Sequence, residues 1–188
     1  MIQQQQKLRM MIVSALFAAI IGILAQVTIP LPLVPITGQT LAIGLAATIL
    51  GAKYGTVSVL LYILLGAVGI PVFSAFSAGL GVIFGPTGGF IIGFIPTAFF
   101  IGWYLEKTSF KFTHAMVANT IGMFITLCFG TVWLKIVADL GWAAAFASGF
   151  APFIVVGLIK AALASWIGVL VRSRLTNANI LIAHKESA

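Results

Sequence analysis

Carboxylates are nearly missing from this chain. Among 188 residues only Glu106, Asp139 and Glu186 carry one. None falls inside an apolar stretch, so no membrane-embedded carboxylate is available for a proton relay. Cys128 is the single cysteine, which excludes an intramolecular disulfide. His114 and His184 form neither a metal cluster nor a nucleophile–base pair. No GxxxxGK[ST] phosphate loop is present, so the chain does not hydrolyse ATP by the usual machinery. These absences argue against an enzyme and against a bound metal or cofactor. Any energy that the protein uses has to come from partners.

What is abundant is apolar surface. Hydrophobic residues make up 61% of the chain and charged residues 7%, too few charges for a soluble domain of this size. The composition is that of a polytopic, all-α membrane protein, with residues 1–188 forming one transmembrane domain. The net charge of +7 is spread over short connections and is no nucleic-acid signal. Six apolar segments are read, at about 10–29, 37–52, 55–70, 88–105, 115–134 and 152–171. The second and third are short and joined by Gly51-Ala52-Lys53-Tyr54-Gly55, the pattern of a tight helical hairpin. The first follows Lys7 and Arg9 like a signal peptide, but shows no convincing cleavage pattern and is read as an uncleaved helix.

Basic residues set the orientation. With six spans, Lys7, Arg9, Lys53, Lys107, Lys111, Arg172, Arg174 and Lys185 share one side, and Lys135 stands alone on the other. The positive-inside rule puts the first side, with both termini, in the cytoplasm. The outward connections are then 30–36, 71–87 and 135–151. Pro30-Leu31-Pro32-Leu33-Val34-Pro35 favours extended chain. Residues 69–89, GIPVFSAFSAGLGVIFGPTGG, are too apolar for an ordinary solvated loop and too broken for a helix. Such backbone is tolerated near a membrane where it is buried in protein or lines a cavity. A cap over a pocket and a compact outer loop both fit.

Lys160 is the most informative residue. It stands in Pro152–Val171, PFIVVGLIKAALASWIGVLV, with no other charge. At about 1.5 Å per residue it lies roughly 12 Å along that helix. A lysine at such depth costs about 2.5–3.5 kcal/mol on insertion scales, so it faces the bundle interior and is kept for a partner. Two readings are open: an anchor for an anionic ligand, or a snorkelling or internally paired side chain. Gln39 and Thr40 at the start of the second segment, Trp133 at the end of the fifth, and Phe73, Ser74, Ser77, Gly79, Thr87 and Gly88 in the outer connections converge on the same depth. Together they describe a pocket with aromatic walls, a few hydrogen-bonding groups and one cation, suited to a small, partly apolar carboxylate. Taken singly, Gln39 also reads as a helix cap and Trp133 as part of an interfacial aromatic belt. Ser74 and Ser77 also read as satisfiers of backbone groups. Asn119 is read as a packing group.

Residues 65–94, LLGAVGIPVFSAFSAGLGVIFGPTGGFIIGF, resemble the signature of the BioY family, the substrate-binding S components of energy-coupling factor (ECF) biotin transporters. PITGQTLAIGLAATILG (35–51), GTVWL (130–134) and PFIVVGLIKAALA (152–164) extend the resemblance. It implies a six-helix fold in a prokaryotic cell membrane, with biotin bound near the extracellular face. It also implies ATP-hydrolysing partners reached through a transmembrane coupling subunit. On the first helix Ala15, Ala18, Ala19 and Gly22 form a small-residue row that permits close helix packing. The resemblance assigns Ala15 and Ala19 to docking on that subunit. One departure stands out. The family's last helix usually reads PFxPGDLxK, whereas Val155, Val156 and Gly157 occupy the Pro, Gly and Asp positions here. Lys160 thus lacks an acidic neighbour one turn away. The expected function is capture of biotin for ATP-driven uptake; the alternative is a stand-alone facilitator for another small carboxylate.

Overall fold

The computed structural model describes residues 2–178 and 180–181; Lys185, His184 and Glu186 lie outside the described residues. The molecule is helical. Helices α1 (Ile2–Ala25), α2 (Gln39–Ala67), α4 (Gly88–Lys107), α5 (Phe112–Val137) and α7 (Phe153–Asn177) form the bundle, with short helices α3 (Leu80–Phe84) and α6 (Trp142–Gly149) in its connections. Strands β1 (Thr28–Ile29) and β2 (Ile36–Thr37) pair antiparallel, so the proline-rich 30–35 segment is the tip of a small hairpin. Helix α2 packs on α1, α4 and α7, while α5 packs on α4 and α7.

Among the described residues, five stretches are long and apolar enough to cross a membrane: Gln4–Ala25, Gln39–Ala67, Gly88–Lys107, Phe112–Val137 and Trp142–Asn177. The expected count was six. The difference lies in α2, where the second and third expected segments join without an intervening loop. Gly51 interrupts the helix at φ 80° and ψ −175°, a conformation closed to other residues. The chain folds back there. Gln39 Nε2 donates to the Tyr62 hydroxyl, although 23 residues of straight helix would hold them about 35 Å apart. A Cβ at Gly55 would meet Ala47 Cα at 2.8 Å, so the two arms are in backbone contact. Three groups clamp the reversal. Glu106 accepts the Ala52 N–H at 2.9 Å, Arg172 Nη1 donates to the Ile49 carbonyl, and the guanidinium lies 3.4 Å over the Phe110 ring. Glu106 belongs to the last turn of α4 rather than to a connection.

The third outer connection, expected at 135–151, contains a helix of its own. Helix α5 continues to Val137, and Trp142–Gly149 forms α6, an alanine-rich turn pair packed on α5. Lys135 Nζ sits 5.3 Å over the Trp142 ring. Within 69–89, the short α3 likewise interrupts the loop read as wholly irregular.

Candidate ligand site

Two of the outer connections, the β-hairpin and the 68–87 loop, cover a cavity of about 180 Å³ at one end of the bundle. Its walls come from the β-hairpin, the first arm of α2, the 68–87 loop, α4, α5 and α7. Phe73, Phe90, Phe94, Ile43, Leu127 and Phe153 make most of it apolar.

Lys160 supplies its cation. Nζ donates to the Thr37 carbonyl at 2.6 Å and to Thr40 Oγ1 at 3.2 Å. An ammonium has three N–H donors, so one remains for a ligand. No carboxylate pairs with Lys160 among the described residues. The place where a residue at 157 would project a side chain is filled by the Met123 thioether. The acid-free surroundings read from Gly157 are thus real, and sulfur packing occupies the gap.

Gln39 is buried and engaged at both amide atoms: Nε2 donates to Tyr62 and Oε1 accepts the Thr37 hydroxyl at 2.7 Å. It holds β2 and both arms of α2 in one arrangement and so positions the Thr37 carbonyl for Lys160. Tyr62 was missed in the sequence. It is fully buried and meets Phe73 edge-on at 5.5 Å. The signal was a phenol placed mid-helix among aliphatics, which requires a polar partner.

The 68–87 loop is built as a roof. Phe73 is fully buried over Gly66, where any side chain would overlap its ring. Ser77 Oγ donates to the Ser74 carbonyl at 2.7 Å, and Phe73 N–H to the Ser77 carbonyl at 3.0 Å, closing a turn. Gln26, also missed, pins this turn to α1. Its Nε2 donates to the Phe73 carbonyl at 3.1 Å and its Oε1 accepts the Phe76 N–H at 2.8 Å. Those bonds hold Ala75 and Phe76 in left-handed conformation, at φ 54° and 56°.

The structure therefore brings Lys160, Gln39, Thr40, Phe73, Ser74, Ser77 and Thr87 to the cavity wall. It does not bring Gly79, Gly88 or Trp133 there. Trp133 turns away and donates from Nε1 to the Gly85 carbonyl at 3.0 Å, bracing the loop base against Gly89. Gly88 is packed against Ile83, and Gly79 donates its N–H to Gly66 at 2.7 Å with open space beside its Cα. Asn119, set aside as a packing group, does line the cavity, as do Thr97 and Thr126, bonded to each other at 2.8 Å.

The small-residue row of α1 splits. Ala18 and Gly22 face inward, Gly22 against Val72, whereas Ala15 and Ala19 are exposed beside Leu16, Ile12 and Ile23.

Comparison with known proteins agrees with this architecture. The profile of the BioY family matches residues 1–177. The biotin transporter BioY2 of Lactococcus lactis subsp. cremoris is 42% identical over 176 residues, covering 94% of this chain and 97% of that protein. The biotin transporter BioY of Thermotoga maritima is 40% identical over 163 residues, covering 86% and 95%. The crystal structure of the S component for biotin from an ECF-type ABC transporter superposes with a TM-score of 0.82 at 30% identity, covering 90% of this chain and 93% of that one. A helical bundle with several membrane-crossing stretches, a roofed cavity holding one lysine, and a family profile over nearly its whole length together place this chain in the BioY family.

Proposed function

We propose that this protein is the biotin-binding S component of an ECF-type uptake transporter in a prokaryotic cell membrane. It is a transporter subunit, not an enzyme, and biotin enters as cargo rather than as a cofactor. The observation that carries the reading is Lys160: a cation with one uncommitted donor, in a mostly apolar cavity under a loop roof. Biotin has the matching chemistry, a carboxylate on an aliphatic chain joined to a compact ring system.

The fold is best counted as six crossings in one transmembrane unit. Because α2 reverses at Gly51, both its ends lie at the roofed end of the bundle, which returns the two termini to the same side. That side then carries Lys7, Arg9, Lys53, Lys107, Lys111, Arg172 and Arg174 and is cytoplasmic, while the roof and Lys135 face outward. The chain carries no phosphate loop, so inward delivery depends on an ATP-hydrolysing module reached through a membrane coupling subunit. The exposed Ala15 and Ala19 face of α1 is the proposed docking surface, since small residues let another helix approach closely.

Isothermal titration of the solubilised chain is the test. Biotin is expected to bind one to one without ATP or partners, and short aliphatic carboxylates lacking the ring system are expected to bind far more weakly. Folded protein that takes up no biotin would overturn the reading.

A further inference from the structure

Far from Lys160, the cavity reaches a second polar centre built by three helices. Asn119 of α5 is 4% exposed and lines the cavity floor. Its Nδ2 donates to Thr48 Oγ1 of α2 at 3.0 Å, to the Ala115 carbonyl at 3.0 Å and to Ser165 Oγ of α7 at 3.3 Å. This fixes which way the amide points. The Ala115 carbonyl can only accept, and the Ser165 hydroxyl spends its own proton on the Ala161 carbonyl at 2.6 Å. The nitrogen is therefore saturated.

Asn119 Oδ1 is different. It accepts no hydrogen bond from any described residue. Among the described residues the one sealed side-chain polar atom without a partner is Thr131 Oγ1, so Asn119 Oδ1 is not sealed and opens on the cavity. Gly44 leaves it room, since a Cβ there would come within 2.5 Å of this oxygen. An amide oxygen held in a fixed direction, in an apolar surrounding, with both lone pairs free, is a receptor for an N–H or O–H donor.

The spacing between the two centres is readable along the helices. Thr40, bonded to Lys160, and Thr48, bonded to Asn119, are eight residues apart on one arm of α2, about 12 Å. Lys160 and Ser165 are five residues apart on α7, about 8 Å. The cavity thus presents a cation at one end and a fixed amide acceptor at the other. We infer that Asn119 is a specificity-determining residue whose Oδ1 takes an N–H of the ligand at the cavity floor, while the ligand's anionic group meets Lys160. The reverse pose would set an anion against an unprotonatable oxygen. The inference rests on the biotin reading, and it assigns the ureido ring, which carries two N–H donors, to the floor and the carboxylate to the roof end.

The test measures three ligands against the full-length protein: biotin, biotin amide, and biotin methylated on both ureido nitrogens. Wild-type protein is expected to bind the methylated ligand at least tenfold more weakly than biotin. Asn119→Ala should lose about tenfold for biotin, the loss of one neutral hydrogen bond, and little for the methylated ligand. Lys160→Ala should instead erase the preference for biotin over its amide and keep the preference for free ureido nitrogens. Asn119→Ser, a smaller disturbance of the Thr48 and Ser165 contacts, should reproduce the Asn119→Ala pattern. Equal losses for biotin and the methylated ligand in the Asn119 variants would make Asn119 a structural residue and overturn the inference. So would undiminished binding of the methylated ligand by wild type, a comparison that needs no variant. Failure of wild type to bind biotin at all would overturn the biotin reading, and this inference with it.

Discussion

Replacing Lys160 by Met keeps most of the aliphatic stem and removes only the ammonium. In the structure that group makes two bonds within the protein, to the Thr37 carbonyl at 2.6 Å and Thr40 Oγ1 at 3.2 Å, and offers a third donor to the cavity. Loss of a charge-assisted bond to a ligand in a partly desolvated site costs about 2–5 kcal/mol, part of it from the ligand group left unpaired. At about 1.4 kcal/mol per decade, affinity for biotin should fall at least ~30-fold. The empty protein should respond much less. The two internal bonds are lost, but so is the cost of holding an unpaired ammonium away from water. The β-hairpin keeps its closing bond, Gly38 N–H to the Val27 carbonyl at 2.9 Å, without the lysine. A residual ~1 kcal/mol would shift the thermal midpoint by about 2–4 °C for a chain of this size. The assay is paired: biotin affinity by titration, and thermal midpoint without ligand. Unchanged affinity would remove Lys160 from the site. Collapse of the ligand-free fold would show instead that the lysine serves only to tie α7 to β2 and α2.

Three further outcomes are expected. In a Cys128→Ser background, needed because Cys128 is exposed, cysteines at Leu33 and Lys111 should label from opposite sides of the membrane; labelling of both from outside would refute the topology. Ala19→Trp should abolish association with the coupling subunit while leaving biotin affinity unchanged, because Ala19 is exposed and its inward neighbours are Ala18 and Gly22; lost biotin binding would mean that the face is internal. Gly51→Ala should lower the thermal midpoint by several degrees. It forces a side chain into a φ of 80° and against the Glu106 carboxylate, a strain of about 1–3 kcal/mol, and an unmoved midpoint would contradict the reversal at this residue.

Much of this was legible in the sequence, for reasons that can be named. A lone lysine in an apolar helix has few places to go, so Lys160 could be placed in the bundle interior from its depth alone. The reversal at Gly51 was readable from two short apolar runs around a glycine and a charge. The Gly-rich 69–89 segment, both apolar and broken, was readable as a cap over a pocket or a compact outer loop, and the packing of Phe73 over Gly66 decides for the cap. What failed depended on rotation about a helix axis or on contacts between distant segments. Trp133 lies at the right depth, but its side chain turns toward Gly85 and Gly89, and depth carries no azimuth. Asn119 was set aside as a packing group because it lies near the cytoplasmic end of its helix. Only the packed bundle shows that the cavity extends as far as Asn119. Helix α6 was hidden because WAAAFASG carries no charge and no cap, and its helicity comes from packing on α5.

The most direct test of the central claim is a structure of this protein with biotin bound. The account predicts density within the cavity enclosed by the β-hairpin, the 68–87 loop and α7, with a carboxylate oxygen about 2.7–2.9 Å from Lys160 Nζ. Biotin seated outside this cavity, or inside it with its carboxylate turned away from Lys160, would contradict it.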